Sequence, residues 1–299
     1  DEAFASYKNR NKAALLNQEM NPNVAFSDSI TFALQMGHPR TIRMKADMID
    51  NMDYNKILAM YQDRYKDASD FTFILVGNVD VESMKPLIAE YLGALPTINR
   101  KESFKDNKIE YRKGVYKNEF VREQETAKAS NFVSFIGTCK YDLKNSILQD
   151  MTCQIMDLVY TEKVREDEGG TYGVYVGGNL SKYPNEIAGI QIVFDTAPSK
   201  REKLMKIIFA EIERISKEGP SEANLNKVKE FMLKKHAEDL KENSYWMESI
   251  DEYLFTGMNP IKDYEQTVNS ITAKDIQKFA DDLFKQKNEV EVSMISPDK

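Results

Sequence analysis

The chain has 299 residues, of which 41% are hydrophobic and 30% are charged, and its formal net charge is -7. This composition is typical of a folded globular protein, and the length allows one or two domains with a sizeable core. The negative charge argues against a nucleic-acid-binding protein, which needs clustered basic residues, and no apolar run approaches the roughly 18 residues of a membrane span.

The first hundred residues predict helices around a single strand. The N-terminus is acidic and polar, which predicts that no signal peptide is present. Asp53 is a candidate N-cap for an amphipathic helix, and the apolar run FTFILV at 71–76 predicts a buried strand. A second amphipathic helix begins near Val81 and ends before Gly93. The polar stretch 97–110 then predicts a linker.

Beyond the linker, strands and helices indicate an α+β domain. Ser221 is a candidate N-cap of a long helix that is expected to continue past Trp246. An apolar stripe from Leu143 to Val159 predicts another helix. Strands are predicted at 131–137, 171–176, 187–194 and 289–295. Strands joined by hairpin-like turns, with helices grouped together, are typical of the α+β class.

Two parts of the chain share a pattern. At an offset of 220 residues, Asn23 aligns with Asn243 and Gly37 with Gly257, and at an offset of 219 the matches continue. The later pairs include Ile57 with Ile276, Phe71 with Val290 and Phe73 with Val292. The pattern predicts a duplicated sheet-and-helix unit, present once in part (1–96) and once completely (111–299), so that the chain begins inside a repeat.

Residues that commonly carry catalysis are scarce. The chain has two histidines, His38 and His236, and neither belongs to an H-E-x-x-H or H-x-x-E-H motif. His38 stands in a loop signal, and His236 is expected to pair with Asp239 one helical turn away. The sequence contains no G-x-S-x-G and no phosphate-binding loop. We therefore expect no metal ligands and no catalytic residues in this chain.

One segment nevertheless has the character of a binding site. In VREDEGGTYGVYV, residues 164–176, Arg165 ends an apolar helical pattern and Tyr172 opens a strand after a Gly-Gly pair. The residues themselves leave two interpretations open. Arg165 and Tyr172 converge across the turn at a site, or Arg165 caps the helix and Tyr172 is an ordinary strand aromatic. Tyr175, on the opposite face by parity, is expected in the core.

The chain resembles the C-terminal half of the pitrilysin- and insulinase-type zinc metallopeptidases, the inverzincins. Four stretches that span nearly the whole chain carry the resemblance, and the first two are specific. They are MYQDRYKDASDFTFILVGNVDVESMKPLIAEYLGALP, VREDEGGTYGVYV, NSYWMESI and ITAKDIQKFADDLF. The resemblance implies homologous α+β units: the end of a third unit at 1–96, a linker at 97–110 and a complete fourth unit at 111–299.

The resemblance also implies a function. In this family two halves close around a peptide chamber, and the zinc motif lies in the N-terminal half, which this chain lacks. Zinc would be bound by that half, either on the same polypeptide or as a separate subunit. Arg165 and Tyr172 would reach the peptide substrate near the zinc. The chain would then be the non-zinc-binding half of a metalloendopeptidase and inactive alone.

An alternative within the same family is a non-catalytic paralogue or partner subunit that acts as a scaffold or peptide-binding module. Retention of Arg165 and Tyr172 favours the enzyme. The two cysteines, Cys139 and Cys153, are expected to be small buried hydrophobic residues. They do not fix the compartment, so both a cytoplasmic and a periplasmic or cell-envelope location stay open.

Overall fold

The computed structural model describes residues 2–168 and 173–297, with the backbone alone at 165–168. These residues form helices around one β-sheet. The helices are α1 (Glu2–Glu19), α2 (Pro22–Gln35), α3 (Ala46–Asp50), α4 (Tyr54–Tyr65), α5 (Val81–Tyr91), α6 (Leu143–Glu168), α7 (Arg201–Glu218), α8 (Glu222–Asp239), α9 (Asn243–Thr256), α10 (Tyr264–Ser270) and α11 (Ala273–Phe284). The strands are β1 (Val115–Val121), β2 (Ala129–Thr138), β3 (Val174–Ser181), β4 (Ile187–Thr196) and β5 (Glu289–Ile295).

The sheet has the strand order β1-β5-β2-β4-β3. Strand β1 runs parallel to β5, and the other neighbours are antiparallel. Val133 in the central strand β2 lies opposite Ile192 of β4 on one side and Glu291 of β5 on the other. The predicted α+β class is therefore confirmed, with one five-stranded mixed sheet.

The larger hydrophobic core lies on one face of the sheet. Val133 and Phe135 of β2 and Ile190 and Ile192 of β4 are buried there with residues of α6, α7 and α11. The ring of Phe135 meets that of Phe284 edge to face, with centroids 4.8 Å apart. Because each fully buried aliphatic or aromatic side chain contributes about 1.5–3 kcal/mol, this face dominates the stability of the unit.

Helix α2 covers the opposite face. Phe26 and Ala33 pack against Val290, Val292 and Met294 of β5. Two hydrogen bonds attach the helix at its side and end: Asn118 Nδ2 donates to Ser29 Oγ at 2.8 Å, and Arg112 Nε donates to the Ala33 carbonyl at 2.6 Å. A helix from the first hundred residues thus covers one face of the sheet formed by residues 115–295.

Several predicted boundaries are confirmed. Strand β5 has the predicted limits, and β4 extends the prediction by two residues. The two predicted N-caps are present. The Asp53 carboxylate accepts hydrogen bonds from the backbone amides of Asn55 and Lys56, and Ser221 Oγ accepts one from the amide of Asn224. No helix in the described ranges has the length and apolar character needed to cross a bilayer.

The prediction of one long helix that begins after Ser221 and continues past Trp246 is wrong. The helix stops at Asp239 and a new helix starts at Asn243, because Glu242 adopts an extended backbone conformation with φ -100° and ψ 130°. The indole Nε1 of Trp246 donates to the Leu240 carbonyl at 2.9 Å. This bond satisfies one of the acceptors that a helix C-terminus leaves open.

The buried strand predicted at 71–76 is also wrong. These residues form no helix or strand, and Phe71, Phe73 and Leu75 are 39–46% exposed. A strand needs a neighbour with which to exchange backbone hydrogen bonds, and no strand in the described residues lies beside this segment. Helices α4 and α5, on either side of it in the chain, likewise contain no buried residue.

Candidate substrate-contact site

The two residues singled out in the sequence flank the connection between α6 and β3. Arg165 belongs to the last turn of α6, and its side chain lies outside the described residues. Tyr172 also lies outside them, two positions before β3 begins. The convergence of Arg165 and Tyr172 therefore stays a prediction. The described residues around them show which contacts hold this end of α6 in place.

Helix α6 is held by a long buried stripe. The side chains that share this stripe are Ile147, Met151, Ile155, Met156, Val159, Tyr160 and Val164. Their spacing of three or four residues keeps them on one side of the helix, toward the sheet and α7. Tyr160 is fully buried, and its hydroxyl donates to the Ile208 carbonyl of α7 at 3.0 Å. Burial raises the pKa of this phenol well above its usual value, so it stays a neutral donor.

An ion cluster fixes the last two turns of α6 to α7. The Glu211 carboxylate is fully buried and lies 2.6 Å from Lys163 Nζ, two residues before Arg165. Arg214 Nε donates to the same carboxylate at 2.9 Å, and Arg214 Nη1 donates to the Gly219 carbonyl at 3.0 Å. Burial opposes ionisation of Glu211, but the hydrogen bonds from Arg214 and Lys163 outweigh it and lower its pKa. Glu211 is therefore a charged anchor for the helix end that carries Arg165.

Strand β3 is an edge of the sheet, and α6 lies beside its open side. The amide of Val176 donates to Asp157 Oδ1 of α6 at 3.2 Å. Val174 and Val176 face α6 and are buried, whereas Tyr175 is 60% exposed. The prediction that Tyr175 lies in the core is wrong, because the helix layer covers the face occupied by the two valines.

Neither histidine lies in a metal site. His236 is buried, but its Nδ1 is 2.9 Å from the Tyr245 hydroxyl and its ring stacks on Tyr264, with centroids 4.2 Å apart. The expected pair with Asp239 is wrong, since Asp239 binds Lys235 one turn earlier. His38 Nδ1 accepts the Arg40 amide at 3.2 Å and caps a loop.

The described side chains also provide no other arrangement that fits zinc. No group of three or more His, Cys, Asp or Glu residues within them is placed to hold a metal ion. Cys139 is half-buried, Cys153 is buried, and both are free. Burial raises the pKa of Cys153 to about 12, so its thiol stays protonated.

Comparison with known proteins identifies the class. The sequence model of the Peptidase M16 inactive domain matches residues 51–232, more than half of the chain. The chain is similar to a "Zinc protease PQQL-like" protein of Arabidopsis thaliana, with 26% identity over 253 residues, which cover 78% of this chain and 26% of that protein.

Two solved structures share the fold. The periplasmic protease PqqL from Escherichia coli superposes with a TM-score of 0.82 at 15% identity, covering 99% of this chain and 33% of that one. A peptidase M16 inactive domain from Pseudomonas fluorescens superposes with a TM-score of 0.76 at 19% identity, covering all of this chain and 71% of that one. The chain thus spans about a quarter of the plant relative and a third of PqqL.

The five-stranded sheet with its helix layer is the α+β fold of M16 peptidase domains. The chain belongs to the Peptidase M16 inactive domain family. The resemblance drawn from the sequence is thereby confirmed at the level of the family.

Proposed function

We propose that this chain is the non-zinc-binding C-terminal half of a zinc metalloendopeptidase and closes the peptide chamber opposite the zinc-bearing half. The observation that carries the proposal is the match to the M16 inactive domain over residues 51–232. The Arabidopsis relative is described as a zinc protease, and the described residues of this chain contain no cluster that fits zinc. The metal would therefore be held by another part of the assembly.

Within this half, Arg165 and Tyr172 would contact the substrate. Hydrolysis of a peptide bond places negative charge on the carbonyl oxygen, and a fixed hydroxyl or guanidinium donor stabilises that charge. A donor is effective only if it is held in place before the reaction. The attachment of Lys163 to Glu211 supports this role, because it holds the backbone two residues before Arg165.

We further propose that residues 1–96 belong to a related unit, joined by the linker 97–110 to the complete unit 111–299. The helices support this duplication. At the offset of 219 residues, the N-cap Asp53 of α4 corresponds to the N-cap Thr272 of α11, and both helices end at corresponding residues. Helix α2 matches α9 within one residue at each end at the offset of 220, and α3 matches α10 within one residue at each end at the offset of 219.

The duplication gives a physical reason for the exposed segment 71–76. Helix α2 packs on Val290, Val292 and Met294, which correspond to Phe71, Phe73 and Leu75. By the same relation, α9 would cover a sheet that contains 71–76 as a strand, with the other strands coming from outside the described residues. In support, a Cβ placed on Gly77 would lie 3.7 Å from Asn243 Nδ2, at the start of α9.

Reconstitution with the zinc-bearing half tests the function. Tyr172→Phe removes one hydroxyl, and losing one preorganised donor typically lowers turnover about 10²–10³-fold. Arg165→Ala is expected to lower kcat and also to raise KM through lost contacts with the peptide backbone. Tyr183→Phe, at a partly exposed tyrosine between β3 and β4, is the control and should change neither.

Rates would be measured on a fluorogenic peptide, with thermal unfolding and zinc content checked for each variant. If Arg165→Ala and Tyr172→Phe keep full activity in a folded, zinc-loaded enzyme, these residues have no role in turnover. If the zinc-bearing half is equally active without this chain, the chain is a scaffold or peptide-binding subunit.

A further inference from the structure

A groove runs between the open edge of β3 and helix α8, with α6 as its floor. Its cavity has a volume of about 350 Å³, near the lower end for small-ligand sites. Tyr175 of β3 and Phe231 of α8 form its two aromatic walls, and Leu158 of α6 lies between them. Both rings are more than half exposed, at 60% and 56%. Two aromatic side chains beside an apolar cavity are a surface that gains from being covered.

The backbone of β3 meets this groove at Tyr175 and Val176. The Val176 amide points away from β4 and donates to Asp157 Oδ1, the position that the carbonyl of a neighbouring strand would otherwise occupy. Along an antiparallel strand, the backbone N–H and C=O groups of successive residues point to opposite neighbours. Those of Val174 and Gly178 therefore point away from β4, as those of Val176 do. The Asp157 carboxylate fills the position beside the Val176 amide and Val174 is buried beside it, so a peptide in the groove would be held mainly through its side chains.

The charge at the rim selects among such peptides. Lys227 of α8 lines the groove and is exposed, and it forms no ion pair with any residue that the structure describes. Its neighbours along the groove are the aromatic walls and the Asp157 carboxylate, which is already bound to the Val176 amide. An acidic side chain beside the seated residue would complement the free ammonium group.

The groove is also close in the chain to the two residues singled out in the sequence. Asp157 and Leu158 precede Arg165 on α6 by about two turns, and Tyr175 follows Tyr172 by three residues on the way into β3. Helix α6, which carries Arg165, therefore forms the floor of the groove, and β3, which begins two residues after Tyr172, forms one wall.

We propose that this groove is a peptide subsite, which binds an extended segment by seating a large apolar or aromatic side chain between Tyr175 and Phe231 and an adjacent acidic side chain on Lys227. The proposal rests on the proposed function, since it assigns a preference to the peptide that this half contacts. It makes Phe231 and Lys227 determinants of peptide specificity, distant from the bond that is cleaved.

Direct binding to the full chain tests the subsite. Fluorescence anisotropy would compare labelled extended peptides that carry Phe-Glu, Ser-Glu or Phe-Lys at one central position and are otherwise the same. The Ser-Glu peptide, which lacks the aromatic side chain, should bind about tenfold or more weakly than the Phe-Glu peptide. Phe231→Ala should weaken the Phe-Glu peptide by a similar factor, and Phe104→Ala, at another exposed phenylalanine, should not. Lys227→Met should remove the preference for Glu over Lys.

Several outcomes would overturn the subsite. Equal affinity for the three peptides, or a Phe231→Ala variant within twofold of the original chain, would do so. Sedimentation that shows a dimer dissociated by Phe231→Ala, without peptide binding, would make the groove a contact between copies.

The two proposals fail separately. Loss of turnover in the Arg165 and Tyr172 variants with no effect at Phe231 and Lys227 would remove the subsite alone. Selective peptide binding in the groove, with turnover insensitive to Arg165 and Tyr172, would remove the proposed contacts of those two residues alone.

Discussion

Replacement of Glu211 tests whether the end of α6 is held by the ion cluster. Glu211→Ala leaves Lys163 and Arg214 without the carboxylate that both contact. Removing one partner of a buried ion pair typically costs about 3–5 kcal/mol. The side chains of Lys163 and Arg214 are 43% and 31% exposed, so water solvates part of the charge left behind. We therefore expect a loss near the lower end, about 3 kcal/mol.

Urea and thermal unfolding of the variant would measure this loss. For a unit of this size, about 3 kcal/mol corresponds to a fall in Tm of roughly 6–12 °C. Glu213→Ala is the matched control on the same helix, since Glu213 pairs with Lys217 on the surface, and its effect should be much smaller. A Glu211→Ala variant as stable as Glu213→Ala would refute the anchoring of α6.

Two further predictions concern ionisation and metal. Burial, reinforced by the adjacent Glu291, raises the pKa of Glu289 to about 7 from an ordinary value of 4.5. The folded state therefore binds this proton more tightly than the unfolded state, and its contribution to stability is lost as the pH rises from about 4.5 to 7. Glu289→Gln should flatten that part of the pH dependence in urea unfolding, and an unchanged slope would contradict this assignment. Elemental analysis after zinc addition and buffer exchange should find far less than one zinc per chain, whereas one tightly held zinc would contradict the reading of the histidines.

Elements with strong local patterns could be predicted from the sequence. Strand β4 follows from an apolar run and β5 from an alternating pattern. The N-caps Asp53 and Ser221 follow from side chains that bind the first free amides of a helix. The family followed from longer motifs. Strand β1 was not predicted, because Lys117 and Glu119 interrupt its apolar pattern. Their charges are compensated by Glu291 and Arg201, which are distant in the sequence.

The remaining differences arise from tertiary structure. The apolar run at 71–76 has the composition of a strand, but a strand also requires neighbours that the described residues do not supply. The prediction for Tyr175 failed because which face of β3 is buried depends on where α6 packs. The groove between β3 and α8 was missed for the same reason, because Tyr175, Lys227 and Phe231 meet only in the folded chain.

The central claim is that this chain is the zinc-free half of a peptidase and is needed for its activity. The most direct test is turnover of a fluorogenic peptide by the zinc-bearing half, measured with and without stoichiometric addition of this chain. The account predicts negligible turnover by either part and recovery of at least about 100-fold when they are combined, since the added half brings donors each worth about 10²–10³. Equal turnover with and without the chain would contradict the claim.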